Sequence, residues 1–554
     1  MLELKQVLKQ AVKNLFKEDV EPELTRPDEK FGDYSTNVAM QLGKQLGKPP
    51  REVAEALAGK IGGSEMIAKS EVAGPGFINF FLTDKALLEG LERQTAKSYE
   101  GQTVVVEYSD PNPFKILHVG HLYTSVVGDA IANLFENAGA NVARVNFGGD
   151  VGLHVAKTLW SILQKLGGEN ADKLEEIEPN QRTEWLAENY VEGNNAYEDS
   201  QDAKPQIAEL NKRIYQIVEK QDKQSSLAQI YWTTRQWSYQ YFNDFYNQIG
   251  TPFDRYYPES ETVEPGLKAV KENVGKVFEE SQGAVVFKGE VHNMHTRVFI
   301  NSQGLPTYET KDIGLALKKW QDYHFDRSII ITGNEQVDYM QVVLKALEQL
   351  EPELAIKTTH ITHGVVKPAG GIKMSSRLGN IIKAEDVLKA ANEANKVANK
   401  HEDFAVALGA VKYAFLKNRI GADMIFDPAE SVSLQGNSGP YLQYAYVRAR
   451  SILQKANDKS NLQPVTSNLE RDERSLARKI GEFSEVVEQA TKEMLPSHIA
   501  TYLYDLAQSF NGFYEKNRIL GDAREVQRLK LITAYSIALK KGLQLFGIAA
   551  PEKM

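Results

Sequence analysis

A chain of 554 residues is longer than one hydrophobic core usually fills, so several domains of ~100–200 residues are expected. Hydrophobic residues at 42% and charged residues at 25% describe an ordinary globular protein, and 40 glycines with 20 prolines are too few for a low-complexity or collagenous chain. The lack of cysteine excludes disulfides, thiolate zinc sites, iron–sulfur clusters and cysteine nucleophiles, while the net charge of −9 argues against non-specific nucleic-acid binding by the whole surface.

In chain order, residues 1–16 space their apolar side chains as an amphipathic helix without a continuous apolar signal core, which predicts mature structure and a cytoplasmic protein. No run approaches the ~18 apolar residues that span a bilayer, so no membrane partner is expected. Helical patterns and the apolar segment 74–82, entered through a Gly-Pro-Gly turn, predict a small α+β unit over 1–85. Residues 103–109 read as a strand, followed by a Pro-containing loop, a helical run over 120–137 and a second strand near 141–147, which make a βαβ unit. Strand-like runs resume at 297–300, 328–332 and 359–366. The polar helical stretch between them, about 155–295, is expected to be an insertion into a doubly wound sheet spanning 98–395. Over 400–554 only helical periodicities appear, which predicts a separate helical domain. Residues 441–554 alone carry a net charge of +4 against −13 for the rest, so a polyanion would be met by the C-terminal part.

Two short segments carry chemistry. The loop after the first strand, Ser109-Asp-Pro-Asn-Pro-Phe-Lys-Ile-Leu-His-Val-Gly-His121, sets His118 and His121 on one face at the start of a helix. Such a helix start offers free N–H groups and a positive dipole end to phosphates, and Gly120 lets a flat ring approach the backbone. Two imidazole donors suit a phosphate whose charge is changing. The competing readings are a satisfied structural pair and a metal site, the latter without a third ligand in sequence. Far downstream, residues 370–380 form a Gly-flanked loop with Lys373, Met374, Ser375, Ser376 and Arg377. It can close cationic donors over a leaving pyrophosphate, or be a solvated turn.

Together the two segments resemble the HIGH and KMSKS signatures of class I aminoacyl-tRNA synthetases, and their flanks resemble the arginyl-tRNA synthetases over nearly the whole chain. Residues 107–112 are similar to that family's stretch before the histidines, 308–314 to its amino-acid pocket and 333–336 to a strand-end segment beyond it. Residues 32–37 are similar to its N-terminal tRNA-binding domain, and 436–446, 541–548 and 551–554 to its anticodon-binding helical domain.

The resemblance implies a multidomain α/β protein. A Rossmann-like class I catalytic domain with a doubly wound parallel sheet would carry a small N-terminal α+β domain and a C-terminal all-α domain. It implies activation of L-arginine by ATP to arginyl-adenylate, loss of pyrophosphate, transfer to the 2′-hydroxyl of the terminal adenosine of tRNA(Arg) and release of AMP, with activation commonly requiring tRNA. His118, His121, Lys115 and Lys373 would meet developing phosphate charge, with Gly120, Met374 and Ser375 also in the ATP site. Glu107 and Asp312 would pair the planar guanidinium, which two carboxylates can satisfy in plane. Tyr308 would line that pocket, and Asn112 and Gln336 would hold the amino and carboxylate end. Read without the flanks, Asp312 is better taken as a helix-start charge and Glu107 as a strand-end surface residue; the flanking matches reverse that preference. Asn37, Tyr441, Tyr444, Tyr446, Arg448 and Arg450 are the tRNA candidates, by aromatic stacking and phosphate contact. Magnesium would travel with ATP rather than in a protein cage. No bound cofactor and a monomer are expected.

Ser376 stands where the family's loop has its second lysine. By resemblance to members with such loops, Lys115 would supply the missing charge; the alternative is a solvated loop lysine with Lys373 sufficient. Tyr123, Val151 and Tyr339 replace an arginine, a tryptophan and a histidine common in the family, and none is expected to touch the guanidinium pocket. A glutamyl or glutaminyl enzyme would share both signatures but needs a basic pocket, which Glu107 and Asp312 oppose. A catalytically silent RNA-binding relative has no need of His118, His121 and Lys373.

Overall fold

The computed structural model describes residues 2–62, 64–93, 95–369, 382–399, 402–457 and 468–554. Its centre is a parallel sheet in the order β5-β4-β1-β2-β3, with β1 at Thr103–Glu107, β2 at Asn141–Gly148, β3 at Arg255–Pro258, β4 at Arg327–Gly333 and β5 at Thr358–His363. Val104, Val105 and Val106 of β1 are fully buried, as a central strand covered on both faces requires. The chain's progression across the sheet reverses between β1 and β4, and ligands of such sheets bind in the crevice at that point, beyond the strands' carboxyl ends.

Three expectations change. Arg297–Ile300 is a strand, but of a separate antiparallel sheet with Glu279–Ser281 and Ala284–Phe287. That small sheet buttresses the helix that follows it, since Thr310 Oγ1 donates to Phe299 O at 2.6 Å. The helical insertion is also shorter than expected. Its helices run between Leu153 and Ile249, after which Arg255-Tyr-Tyr-Pro258 returns to the sheet as β3, four residues too few to announce a period. Finally, Val366–Pro368 pairs in parallel with Met424–Phe426, a strand inside the region expected to be wholly helical.

Residues 2–82 form the expected α+β unit, with Phe77–Leu82 the middle strand of three. It leans on the C-terminal helices through ion pairs, Arg26 to Glu485 at 2.7 Å and Arg474 to Asp33 at 2.6 Å.

The helix after β1, α1 (Val119–Asn137), has 13 of its 19 residues buried. Apolar residues all round a helix mean burial on all sides. One side packs under the sheet and the other under the C-terminal helices. Asn133 Nδ2 donates to Leu545 O at 3.3 Å, and Lys412 Nζ, facing Asp129 from the helix Phe404–Leu416, donates to Gly547 O at 3.0 Å.

Candidate active site

At the carboxyl ends of β1 and β4 lies a cavity of about 470 Å³, lined by Glu107, His118, His121, Asp312, Gln336 and Tyr339 among others. Its size suits a small-molecule site. The residues of the first signature are held by backbone rather than by each other's charge. His118 caps α1: its Nδ1 accepts the Gly120 N–H at 3.1 Å, and His121 Nδ1 accepts the His118 N–H at 3.1 Å. A neutral imidazole whose Nδ1 accepts carries its proton on Nε2. Burial lowers both pKa values, helped by the Lys115 ammonium at each ring and by the His118 imidazole at His121, whose pKa falls the further. Both rings are therefore neutral N–H donors at neutral pH, stacked 3.8 Å apart. The flat ring that approaches Gly120 is His118's own, since a Cβ there would stand 2.8 Å from its Cε1.

The loop feeding this helix is gripped by the insertion. Ser109, Asp110 and Phe114 have φ of 73°, 50° and 69°, in the left-handed region that side chains disfavour. Helix α3 (Ser226–Ile249; the insertion's Arg182–Asp199 is α2) supplies three hydroxyls along it. Ser238 Oγ accepts the Phe114 N–H at 2.9 Å, Tyr241 OH accepts the Leu117 N–H at 3.3 Å, and Tyr246 OH lies 2.7 Å from Ser109 Oγ. The Phe114 ring is buried in the insertion's own core. Lys115 rests its ammonium 4.8 Å from the ring centre of Tyr190 on α2, beside a second cavity of about 240 Å³ that shares both histidines. The strap 382–384 completes the other wall: Val119 N–H donates to Ile382 O and Ala384 N–H to Leu117 O, each at 2.9 Å. Lys373, Met374, Ser375, Ser376 and Arg377 lie outside the described residues.

The opposite end of the cavity is acidic. Tyr308, Asp312 and Lys319 stand on one face of α5 (Tyr308–Tyr323), which packs against α4 (Glu259–Glu272). Most carboxylates here already hold a cation: Glu107 is ion-paired with the buried Lys319, Glu259 with Lys311, and Glu309 with Arg297 at 3.3 Å. Asp110, whose Oδ1 accepts the Phe147 N–H at 2.8 Å, is raised well above the ordinary carboxylate range by burial and then by Glu107. Asp312 is pushed up to about 8, first by burial and then by the charges of Glu107, Glu259 and Glu309, against the lowering effect of its hydrogen bond from Tyr339.

Asn112 Oδ1 accepts the Gly149 N–H at 2.7 Å, and a Cβ at Gly149 would collide with that oxygen. Tyr308 is half exposed, with its OH 3.4 Å from His154 Nδ1. Gln336 sits on the rim, just before α6 (Val337–Leu350).

Of the three departures from the family pattern, Val151 is buried in the insertion and Tyr123 packs on His363 and Phe415. Tyr339 corrects the expectation: from α6 it donates its phenolic hydrogen to Asp312 Oδ2, inside the pocket. Lys319, Arg297, Lys311 and Asp110 were not singled out from sequence. A lysine eleven places along a helix looks like a solvated one unless its buried carboxylate is already known.

Among the tRNA candidates, Tyr446 is a correction. It is 2% exposed and packs in the core, so it cannot stack on a base. Tyr444 is 39% exposed under the Arg448 guanidinium, and Arg448 donates to Asn511 Oδ1 at 2.8 Å. Asn511 in turn donates to Tyr441 OH at 2.9 Å, and exposed Tyr514 joins the group. Arg450 faces Glu552 at 3.7 Å. Asn37, in the N-terminal unit, directly precedes the helix Val38–Leu46, and its buried Oδ1 has no partner among the described residues.

Comparison with known families agrees with this layout. Residues 83–428 match the model of class I tRNA synthetases (R), catalytic domain; 442–554 match the DALR anticodon binding domain; and 2–82 match the arginyl tRNA synthetase N terminal domain. The chain is 32% identical to the arginine–tRNA ligase of Clostridium perfringens over 99% of its own length and 100% of that protein's. To the arginine–tRNA ligase of Halothermothrix orenii it is 30% identical, covering 99% and 98%. The solved Thermus thermophilus arginyl-tRNA synthetase superposes with a TM-score of 0.81 at 27% identity, over the full length of both chains.

Proposed function

From the premise that the chain belongs to the arginyl-tRNA synthetases and ligates arginine to tRNA with ATP as substrate, we propose how its residues divide that work. The arginine carboxylate attacks the α-phosphate of ATP, and the pyrophosphate leaves. No protein nucleophile is needed, because positioned donors facing the developing charge do most of the work. His118 and His121 present neutral Nε2–H groups at the positive end of the α1 dipole, whose first N–H groups are already bonded, and these donors stabilise the developing charge without having to lose a proton. Lys115 leaves Tyr190 to supply a full positive charge, and Lys373, Met374 and Ser375 of the second signature are assigned to the ATP phosphates. Magnesium enters on the ATP phosphates, with no protein residue assigned to it.

Asp312 and Glu107 receive the guanidinium, Glu107 while shared with Lys319. Tyr308 is the outer wall, and Asn112 and Gln336 hold the amino and carboxylate end so that it faces the histidines. The tRNA acceptor end reaches the adenylate across the same cavity. Its other parts lie on the unit 1–85, through Asn37, and on the helical domain 400–554, through the cluster of Tyr441, Tyr444, Arg448 and Tyr514. The protein acts as a cytoplasmic monomer.

One observation carries this reading: a single cavity has neutral donors and a helix start at one end and converging carboxylates at the other. ATP–pyrophosphate exchange with Asp312→Asn, tRNA present, is the test. Loss of a charge-assisted hydrogen bond costs ~1.5–3 kcal/mol, so arginine use falls ~10–150-fold with ATP binding kept. Unchanged arginine kinetics in this variant and in Glu107→Gln would reject the pocket assignment.

A further inference from the structure

Four carboxylates surround the amino-acid end of the cavity, and their partners are not alike. Glu107 on β1 is held by Lys319, Glu259 on α4 by Lys311, and Glu309 on α5 by Arg297. Asp312, among them on α5, is held by a neutral phenol, Tyr339 of α6. Arg297 sits 5.3 Å from the centre of that phenol's ring, which fixes the ring's place while spending the guanidinium's charge on Glu309. Asp110, from the loop after β1, adds a further acidic group nearby.

A carboxyl group in such company has two states with opposite selectivity. Ionised, it accepts from a cationic guanidinium. Protonated, it can donate to the oxygen of an uncharged ureido group, the side chain of citrulline. A hydroxyl that donates to Oδ2 stabilises the first state only, because a protonated partner offers a poorer acceptor.

We propose that Tyr339 sets the selectivity of this site for a cationic side chain, by donating to Asp312 Oδ2 and so holding Asp312 as the carboxylate that arginine needs. The proposal rests on the reading that Asp312 meets the guanidinium, and Tyr339 acts through it as a positioning residue. Burial and the surrounding carboxylates raise the Asp312 pKa to about 8 in the empty site, the Tyr339 hydrogen bond opposes that rise, and an arriving guanidinium completes the ionisation. Arginine use therefore rises with pH until about 8. Losing the Tyr339 donor moves that midpoint further up.

The test is steady-state aminoacylation by full-length Tyr339→Phe and Tyr339→His between about pH 6 and 9, a window spanning both sides of the Asp312 midpoint. Free arginine, free citrulline as competitor, and ATP are varied. In Tyr339→Phe, arginine kcat/KM at pH 7 falls roughly tenfold, its pH midpoint rises, citrulline competes better relative to arginine, and ATP KM stays put. In Tyr339→His an imidazole N–H replaces the phenol and restores most of the discrimination. The proposal is overturned if Tyr339→Phe keeps both the midpoint and the arginine-to-citrulline ratio within twofold. It is equally overturned if arginine and ATP use decline together, the pattern of a packing defect, or if a folded Tyr339→His discriminates no better than Tyr339→Phe. Asp312→Asn separates the two levels: if it leaves arginine use intact, the pocket reading fails, whereas if it abolishes arginine use while Tyr339→Phe is silent, only the selectivity role fails.

Discussion

The two ends of the cavity solve opposite electrostatic problems by different means. At the phosphate end the two imidazoles store no charge: they are neutral, their tautomers are fixed by backbone N–H groups, and the helix start contributes oriented dipoles, while the Lys115 ammonium rests on Tyr190. Neither ring has to be compensated before substrate arrives. At the amino-acid end several carboxylates are brought together, and the fold tolerates them only by pairing Glu107, Glu259 and Glu309 with Lys319, Lys311 and Arg297 from separate segments. Prepared dipoles suit a charge that appears transiently. Stored charge suits a cation that arrives whole, and its cost is met by the scaffold.

The sharpest way to break this contrast is Lys319→Met. It strands the buried Glu107 carboxylate, and removing one partner of a buried pair typically costs ~3–5 kcal/mol of stability. Chemical denaturation should show that loss, and adding Glu107→Gln should recover most of it. An unchanged midpoint would mean the acidic end is solvated rather than compensated.

At the phosphate end the largest effect belongs to Lys115, the one cation assigned there besides Lys373. Removing a transition-state donor costs ~10²–10³ in turnover, so Lys115→Ala should slow adenylate formation by that factor with ATP KM nearly constant, and Ser376→Lys should partly rescue it. Parental turnover with tRNA present would show that the missing second lysine needs no substitute.

The smallest effect sharpens the role of α3. Ser238→Ala leaves the buried Phe114 N–H without its acceptor, a loss of ~1–3 kcal/mol at a backbone with φ of 69°. Thermal unfolding should register it, and ATP KM should rise as the loop carrying Lys115 loosens, while arginine KM stays the same. A fall in stability with no change in ATP KM would reduce the grip to packing.

How much of this was legible in sequence follows the same division. The phosphate end was readable because a strand, a loop and a helix start bring its groups together within thirteen residues, and helical spacing alone puts His118 and His121 on one face. At the other end, Glu107 and Asp312 were found only by resemblance, and their cations were not found. Lys319 meets Glu107 across 212 residues, a distance no local period encodes. Tyr339 was visible as a departure from the family but was assigned outside the pocket, because its reach from α6 depends on how that helix crosses α5. The strands Arg255–Pro258 and Met424–Phe426 escaped for a plainer reason: four and three residues are too short for alternation to show.

The burial of α1 has a consequence for the order in which the molecule can be completed. The helix that begins at the signature histidine is covered on its far side by Leu545 and Gly547, and the Asn133 to Leu545 contact spans 412 residues. During synthesis at ~5–20 residues per second, that flank of the helix stays uncovered for ~20–80 seconds after it leaves the ribosome. A nascent chain carrying both histidines therefore leaves one flank of their helix uncovered until its last helix is made.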